Sequence, residues 1–290
     1  MAESILITGA SGFIGRHLVS LLQHPPYLPV LALRDPDTET TQASSLTVRK
    51  FDLSQDEAQY PGLFDDIDVV IHLAGIAHTD AVSPAEYQRT NVEGSRRLAR
   101  QAQLSGVRRL IFLSTVKVHG ESTPGTNSFF SEHSPYAPRD DYSQSKLDAE
   151  NAIKQICAEG DMEYVIVRTP LVYGPGVKAN FLKLIKLVSR NVPLPFSGLT
   201  NLRSFLYVEN LCDLLLKTIS LPTCKNQSYL VKDSDLSSPE LIKKLSAAIG
   251  LQARLFYLPP VLLRSLAGIA MQSSGLERLT GSLMRLVAPP

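Results

Sequence analysis

Three groups of residues in this chain have types and spacings that could do chemistry. The first is Thr8-Gly9-Ala10-Ser11-Gly12-Phe13-Ile14-Gly15, which follows a short apolar run and opens a helical pattern. Glycines permit a tight strand-to-helix turn and let a diphosphate approach the backbone. The helix N-terminus then offers free N–H groups and a partial positive charge. A position directly after a strand and before a helix separates such a string from an ordinary glycine-rich turn. The second group is Tyr142-Ser143-Gln144-Ser145-Lys146. Residues four apart share a helix face. A free phenol, with a pKa of about 10, is a poor base at neutral pH. A nearby ammonium group favours the phenolate, so the pair could exchange a proton with a carbinol or ketone oxygen. A solvated Tyr and Lys on a surface helix have the same spacing, so this pair alone does not make a site. The third group is Ser114-Thr115, at the end of an apolar run. The C-terminal ends of parallel strands are where α/β sheets bind ligands, so a hydroxyl here could hold a substrate oxygen beside Tyr142. The plainer use of such a hydroxyl is to satisfy loop backbone.

The elements around these residues must hold them together. Ile5–Ile7, Pro29–Leu33, Leu46–Phe51, Asp68–His72, Arg109–Leu113 and Tyr164–Val167 read as short buried strands. Helical patterns cover Phe13–Leu22, Ala85–Leu104 and Tyr142–Ala158 between them. This alternation predicts an α/β fold, a Rossmann-type doubly wound parallel sheet. After about Arg168 the rhythm breaks into a smaller, irregular α/β C-terminal portion. Helices are expected there near Phe181–Ser189, Glu209–Ile219 and Pro239–Ile249, and another over Val261–Met271. The expected division is a dinucleotide-binding domain over 1–170 and a substrate-binding portion over 171–290. His119–Asp141, rich in Gly, Ser, Pro and charge, reads as a long loop of the kind that is commonly functional.

Composition excludes several classes. The 290 residues are 44% hydrophobic and 20% charged, ordinary values for a globular chain. With 29 Lys plus Arg against 28 Asp plus Glu, no net field points to nucleic acid or to an acidic membrane surface. Three scattered cysteines, Cys157, Cys212 and Cys224, make no disulfide framework, which fits a reduced cytoplasmic setting. The six histidines form no metal-binding pattern, so no metal is expected. No apolar run approaches the ~20 residues that span a bilayer.

Taken in order, the motifs resemble the extended short-chain dehydrogenase/reductase family, which includes nucleotide-sugar epimerases, dehydratases and reductases. The resemblance rests on the glycine turn, Asp52-Leu53, His72-Leu73-Ala74-Gly75, Asn91-Val92-Glu93-Gly94, Ser114-Thr115 with Val118-His119-Gly120, Tyr142 with Lys146, Arg168-Thr169-Pro170 with Tyr173-Gly174-Pro175, and Arg203-Ser204-Phe205-Leu206-Tyr207-Val208. It implies Thr115, Tyr142 and Lys146 as the catalytic residues. It implies cofactor contacts from Gly9, Ser11, Gly12, Phe13, Ile14, Gly15, Arg34, Asp52, Leu53, Leu73, Ala74, Gly75, Asn91, Ser114 and Lys146. On the substrate side it implies His78, Thr115, Asn180 and Arg203, the last two toward the diphosphate of a UDP-sugar. It further implies a homodimer formed through the helices at 85–104 and 142–158.

Departures from the family pattern narrow the function. Dehydratases of this family carry Asp-Glu directly after the catalytic Thr, whereas this chain has Val116-Lys117. That argues against elimination of water, for which a carboxyl pair is needed. His119 stands where the family usually has Tyr, with no role visible in the sequence. The chain has no Trp and lacks the family's Gly-Trp-x-Pro-like C-terminal segment. At the end of the second strand stands Arg34 rather than an acidic residue, with Asp35 after it. An Arg there accommodates a 2′-phosphate, which favours NADP over NAD. The expected activity is reduction at C4 of a UDP-4-keto-6-deoxy-N-acetylhexosamine. The alternative is an NAD-dependent UDP-hexose 4-epimerase acting on UDP-glucose or UDP-N-acetylglucosamine. A non-catalytic dinucleotide-binding sensor is a third reading, opposed by the intact Thr115, Tyr142 and Lys146.

Overall fold

Ile5, Leu6 and Ile7 are completely buried, with no alternation between faces, as a strand covered on both sides requires. The computed structural model describes residues 2–23, 25–35, 46–55, 60–79, 81–123 and 128–259. The expected helix over Val261–Met271 lies outside them. The chain runs through β1 (Glu3–Thr8), α1 (Phe13–Leu21), β2 (Tyr27–Leu33), β3 (Thr47–Lys50), β4 (Val69–His72), α2 (Pro84–Tyr87), a π-helical segment (Gln88–Gly94), α3 (Ser95–Leu104) and β5 (Arg109–Thr115). A 3-10 turn (Val116–His119), α4 (Asp141–Ala158), β6 (Glu163–Thr169), β7 (Leu171–Tyr173), α5 (Ala179–Ser189), β8 (Leu202–Tyr207), α6 (Val208–Ser220), β9 (Gln227–Leu230), β10 (Ser234–Ser237) and α7 (Ser238–Ala248) follow.

Two compact units interleave along the chain. The first runs to His119 and adds Pro135–Thr169 and Val208–Val231; the second takes Gly120–Ser134, Pro170–Tyr207 and the described residues from Lys232 on. The first unit holds a seven-stranded sheet ordered β3-β2-β1-β4-β5-β6-β9, parallel at every pairing. The strand order reverses at β1, between β2 and β4, which is the switch point where such sheets take a dinucleotide. One core layer joins Leu6, Val70, Leu110 and Ile166 of the sheet to Leu98 and Ala102 of α3 and Ala149 and Ile153 of α4. α1 and α6 pack together. The helix expected at Glu209–Ile219 and the strand β9 therefore belong to the first unit, although they follow residue 170. Gln227-Ser228-Tyr229-Leu230 is only half apolar because it is an edge strand paired on one side, to β6.

The second unit carries a three-stranded sheet, β10-β8-β7, antiparallel at β10–β8 and parallel at β8–β7. Its core gathers Leu184 and Val188 of α5 with Leu194, Phe196, Leu199 and Ile242. Our proposal for the functional domains remains the division at residue 170; the compact units cross that line twice.

Candidate active site

The turn after β1 is shaped by what a side chain would strike. Gly9 has φ +71°, and a Cβ there would lie 2.7 Å from the Ala74 amide nitrogen. A Cβ on Gly15 would run into the Gly9 carbonyl and into Ala10. Gly12 differs from both. It caps α1 in an extended conformation (φ −73°, ψ 176°), no side chain caps the helix, and its added Cβ would meet nothing within 4 Å but the Gly9 carbonyl, at 3.1 Å. The turn is closed on its inner side and open over the helix N-terminus, a cradle that fits the diphosphate of a dinucleotide.

A buried polar chain fixes the floor of this turn. The Ala74 amide donates to Thr8 Oγ1 at 3.2 Å, Thr8 Oγ1 lies 2.7 Å from His72 Nδ1, and His72 Nε2 lies 2.9 Å from Ser95 Oγ. Burial, aided by the Lys146 charge, lowers the His72 pKa to about 3, so the ring is neutral. A neutral imidazole has one donor and one acceptor nitrogen. With the Thr8 hydroxyl donating to Nδ1, the network assigns the proton to Nε2, which donates to Ser95.

At the far end of the cradle, Arg34 is the first residue beyond β2 and is exposed. Asp52 accepts the Ser54 amide at 2.9 Å and the Ser54 hydroxyl at 2.7 Å. Burial pushes the Asp52 pKa up, but the Ser54 bonds and the charges of Arg34 and Arg89 outweigh it and hold the carboxyl below its ordinary value. Leu53 packs against the π-helical segment, where its carbonyl and side chain leave no room for a Cβ on Gly94. That segment turns Asn91 inward. Asn91 Oδ1 accepts the Ile76 amide at 2.7 Å, and its Nδ2 donates to the Ile76 carbonyl (3.1 Å) and to Ser145 Oγ (3.0 Å). Asn91 thus ties the loop after β4 to α4; π-bulges recur at functional sites. A Cβ on Gly75 would lie 3.1 Å from Asn91 Oδ1 and 3.5 Å from Lys146 Nζ, so Gly75 and the ammonium group face the same space.

Thr115 ends β5, and Tyr142 and Lys146 lie one turn apart at the start of α4. The Thr115 hydroxyl lies near enough to the Tyr142 phenol to favour its ionised form. Lys146 is 6% exposed; its Nζ donates to the Leu113 carbonyl at 2.9 Å and lies 4.6 Å from the Phe112 ring centre. Burial lowers its pKa to about 8, against the opposing pull of Glu150. The four-residue spacing predicts that the ammonium depresses the phenol. In the structure the phenol is raised instead, by burial first and then by Asp140 and Tyr87, with the Thr115 hydroxyl opposing them. Lys146 is turned to the carbonyl at the end of β5 rather than to the phenol.

Beside Tyr142 stand His78, expected on the substrate side, and groups that the motifs did not reveal. The His78 and Tyr87 rings lie 5.8 and 6.2 Å from the Tyr142 ring, centre to centre. The Tyr87 hydroxyl bonds Ala77 and Thr79 backbone, which places His78. Lys117 Nζ donates to Asp140 Oδ2 at 2.7 Å, and His78 Nδ1 lies 3.6 Å from the same oxygen. Beneath, Arg168 and Glu150 are a completely buried ion pair. Ser114, expected at the cofactor, donates its hydroxyl to Glu150 Oε1 at 2.5 Å. His119 Nε2 accepts from Arg168 at 3.0 Å, and its ring stacks on Tyr136 at 5.3 Å. Asn180, in the first turn of α5, and Arg203, in β8, belong to the second unit.

Among the described residues no cluster of His, Cys, Asp and Glu could hold a metal ion, and no helix is long and apolar enough to cross a membrane.

The model of the NAD dependent epimerase/dehydratase family matches residues 5–230. A UDP-glucose 4-epimerase of Vibrio cholerae is 39% identical over 292 residues, covering 98% of this chain and 87% of the relative. Among solved structures, MoeE5 in complex with UDP-glucuronic acid and NAD superposes with a TM-score of 0.74 at 27% identity, over 88% of this chain and 85% of that one. A UDP-glucuronic acid 4-epimerase from Bacillus cereus in complex with NAD shares the fold, with a TM-score of 0.75 at 24% identity over 88% and 87% of the two chains.

Proposed function

Because this chain belongs to the NAD dependent epimerase/dehydratase family, we propose that it exchanges a hydride and a proton at C4 of a UDP-linked hexose, as a 4-epimerase. The observation that carries this reading is the meeting of Thr115 and Tyr142 at the end of β5, with Lys146 one turn further on. The 39% identity to a UDP-glucose 4-epimerase over nearly the whole chain supports the direction of the chemistry. NAD+, when bound, supplies the hydride acceptor and a positive charge that opposes the burial-driven rise of the Tyr142 phenol. The glycine turn would hold its diphosphate, and Lys146, beside Gly75, would bind its ribose. Tyr142 takes the proton from the sugar O4 and later returns it, while Thr115 orients that oxygen. Asn180 and Arg203 are our candidates for the UDP diphosphate, Arg203 because a guanidinium is a planar, permanently charged donor. His78 is our candidate for a further sugar contact. Elimination of water has no support here: Val116 and Lys117 stand where it needs carboxyl groups, and Lys117 is bonded to Asp140.

A second reading, reduction of a UDP-4-keto-6-deoxy-N-acetylhexosamine, is favoured by one observation. Arg34, exposed directly after β2, stands where an acidic residue would hold the ribose of NAD. NADPH would then be the exchanging cofactor. Purified protein distinguishes the two. Nicotinamide retained through gel filtration, with interconversion of UDP-hexose C4 epimers, supports the epimerase. Reversible NADPH binding, with oxidation by the UDP-4-keto sugar, supports the reductase. We further propose a homodimer through the helical stretches at 85–104 and 142–158; a monomer in light scattering would refute it.

A further inference from the structure

Lys117 and Asp140 come from different elements and meet beside the catalytic hydroxyls. Lys117 lies in the 3-10 turn directly after β5, and its amide donates to Thr115 Oγ1 at 3.3 Å. Asp140 is the N-cap of α4. Its Oδ1 accepts the Ser143 amide at 2.7 Å, and the Ser143 hydroxyl answers to the Asp140 amide at 3.2 Å, a complete capping box. Asp140 Oδ2 takes the Lys117 ammonium at 2.7 Å, with His78 Nδ1 at 3.6 Å. The ammonium and the carboxylate keep only 20% and 26% of their side-chain surface in water. One carboxylate thus joins the turn behind Thr115, the loop carrying His78, and the helix carrying Tyr142 and Lys146.

We propose that Lys117 is a positioning residue of this site: bonded to Asp140, it seats the first turn of the catalytic helix against the strand end that carries Thr115, and it neutralises the carboxylate beside Tyr142. The inference rests on the reading of Tyr142 as the proton-exchanging group. The charged and titratable groups around Tyr142 are Asp140 at its own helix N-terminus, Lys146 one turn on, Tyr87 from α2, His78 from the loop after β4, and Lys117 through Asp140. Asp140 raises the phenol, and Lys117 holds Asp140 ionised, its pKa brought to about 2 against the opposing effect of burial. The carboxylate is therefore charged at every working pH, and its effect on Tyr142 depends on whether Lys117 balances it.

This arrangement has a signature that a merely structural contact lacks. Lys117→Met removes a positive charge and keeps a long stem; Asp140→Asn removes a negative charge and keeps a good N-cap. Tyr142 ionisation is followed by tyrosinate absorbance with NAD+ bound, whose charge brings the phenol down, against Tyr142→Phe as the blank. Lys117→Met should move the ionisation to higher pH and Asp140→Asn to lower pH, each by on the order of one unit. The double variant should return close to the wild type, and Lys117→Arg should retain the wild-type value. Lys117→Met leaving the ionisation unmoved, or lowering it, would overturn the proposal whatever Asp140→Asn does. Thermal melts of each variant identify any that does not fold; if Lys117→Met does not, Lys117→Gln, which removes the same charge, takes its place with the same expected shift. Failure of all UDP-sugars to turn over would refute the proposed function and leave this absorbance result standing.

Discussion

Ser114 Oγ donates to Glu150 Oε1 at 2.5 Å, joining the residue before Thr115 on β5 to the residue one turn beyond Lys146 on α4. Glu150 in turn holds Arg168 of β6 through three contacts of 2.6, 3.0 and 3.3 Å. The strand end and the helix that supply the three proposed catalytic side chains are thus pinned to one completely buried ion pair. Removing one partner of such a pair leaves an uncompensated charge, at a cost of roughly 3–5 kcal/mol. Arg168→Met should therefore lower stability by that order in urea unfolding. A change under about 1 kcal/mol would show that the pair does not brace the site.

The glycines of the first turn should separate in their effects. Gly12→Val places a branched side chain over the open helix N-terminus at a backbone conformation that tolerates it, so dinucleotide binding should be lost with the fold retained. Gly15→Ala drives a methyl into the Gly9 carbonyl and should damage the turn itself. Titration with the dinucleotide and thermal melts of both variants check this; unaltered affinity in Gly12→Val would remove the cradle assignment.

The turn, the sheet and the Tyr142–Lys146 pair are legible because each is local; Thr115, twenty-seven residues before Tyr142, is joined to them only by the family resemblance. Continuous apolar runs mark strands buried on both faces, and a four-residue spacing marks one helix face. What was hidden depends on distant pairings. Nothing near Lys117 in the chain announces Asp140, twenty-three residues on, although Lys117 was already conspicuous as a departure from the family pattern. His119 was conspicuous too, but its partner Arg168 lies forty-nine residues away. The direction of the Tyr142 shift is not legible in the sequence, because spacing places Lys146 on the same face but does not show its ammonium turning to the Leu113 carbonyl.

Lys146 should trade stability for function. Its folded pKa is lowered from 10.5 to about 8 by burial, so between those values the unfolded chain binds more protons. Stability contributed by this group therefore rises with pH across that window and is lowest below it. At about 1.4 kcal/mol per pH unit, Lys146→Met should stabilise the protein by roughly 1–3 kcal/mol near neutral pH, while dinucleotide affinity and turnover fall. The stability gain should shrink as pH rises through the window. Urea unfolding at both ends of the window measures it; a variant less stable at neutral pH would show that the Leu113 bond outweighs the burial of the charge.

Arg34 is the test of cofactor choice. If it holds a 2′-phosphate, Arg34→Ala should weaken NADPH about ten- to a hundredfold, as expected for loss of a charge-assisted contact, and leave NADH nearly unchanged. Equal small effects on both, in paired fluorescence titrations, would assign the site to NAD.

The central claim is that Tyr142 exchanges the proton at C4. Tyr142→Phe removes only the phenolic oxygen, so the dinucleotide should bind with nearly wild-type affinity. General acid–base groups contribute about 100- to 10,000-fold, and the interconversion of UDP-hexose C4 epimers should fall by that order. The decisive measurement is that rate in the wild type and in Tyr142→Phe, with NAD+ binding determined on the same samples. A collapse in rate with binding intact is the predicted result; a Tyr142→Phe protein that keeps most of its activity would contradict the account.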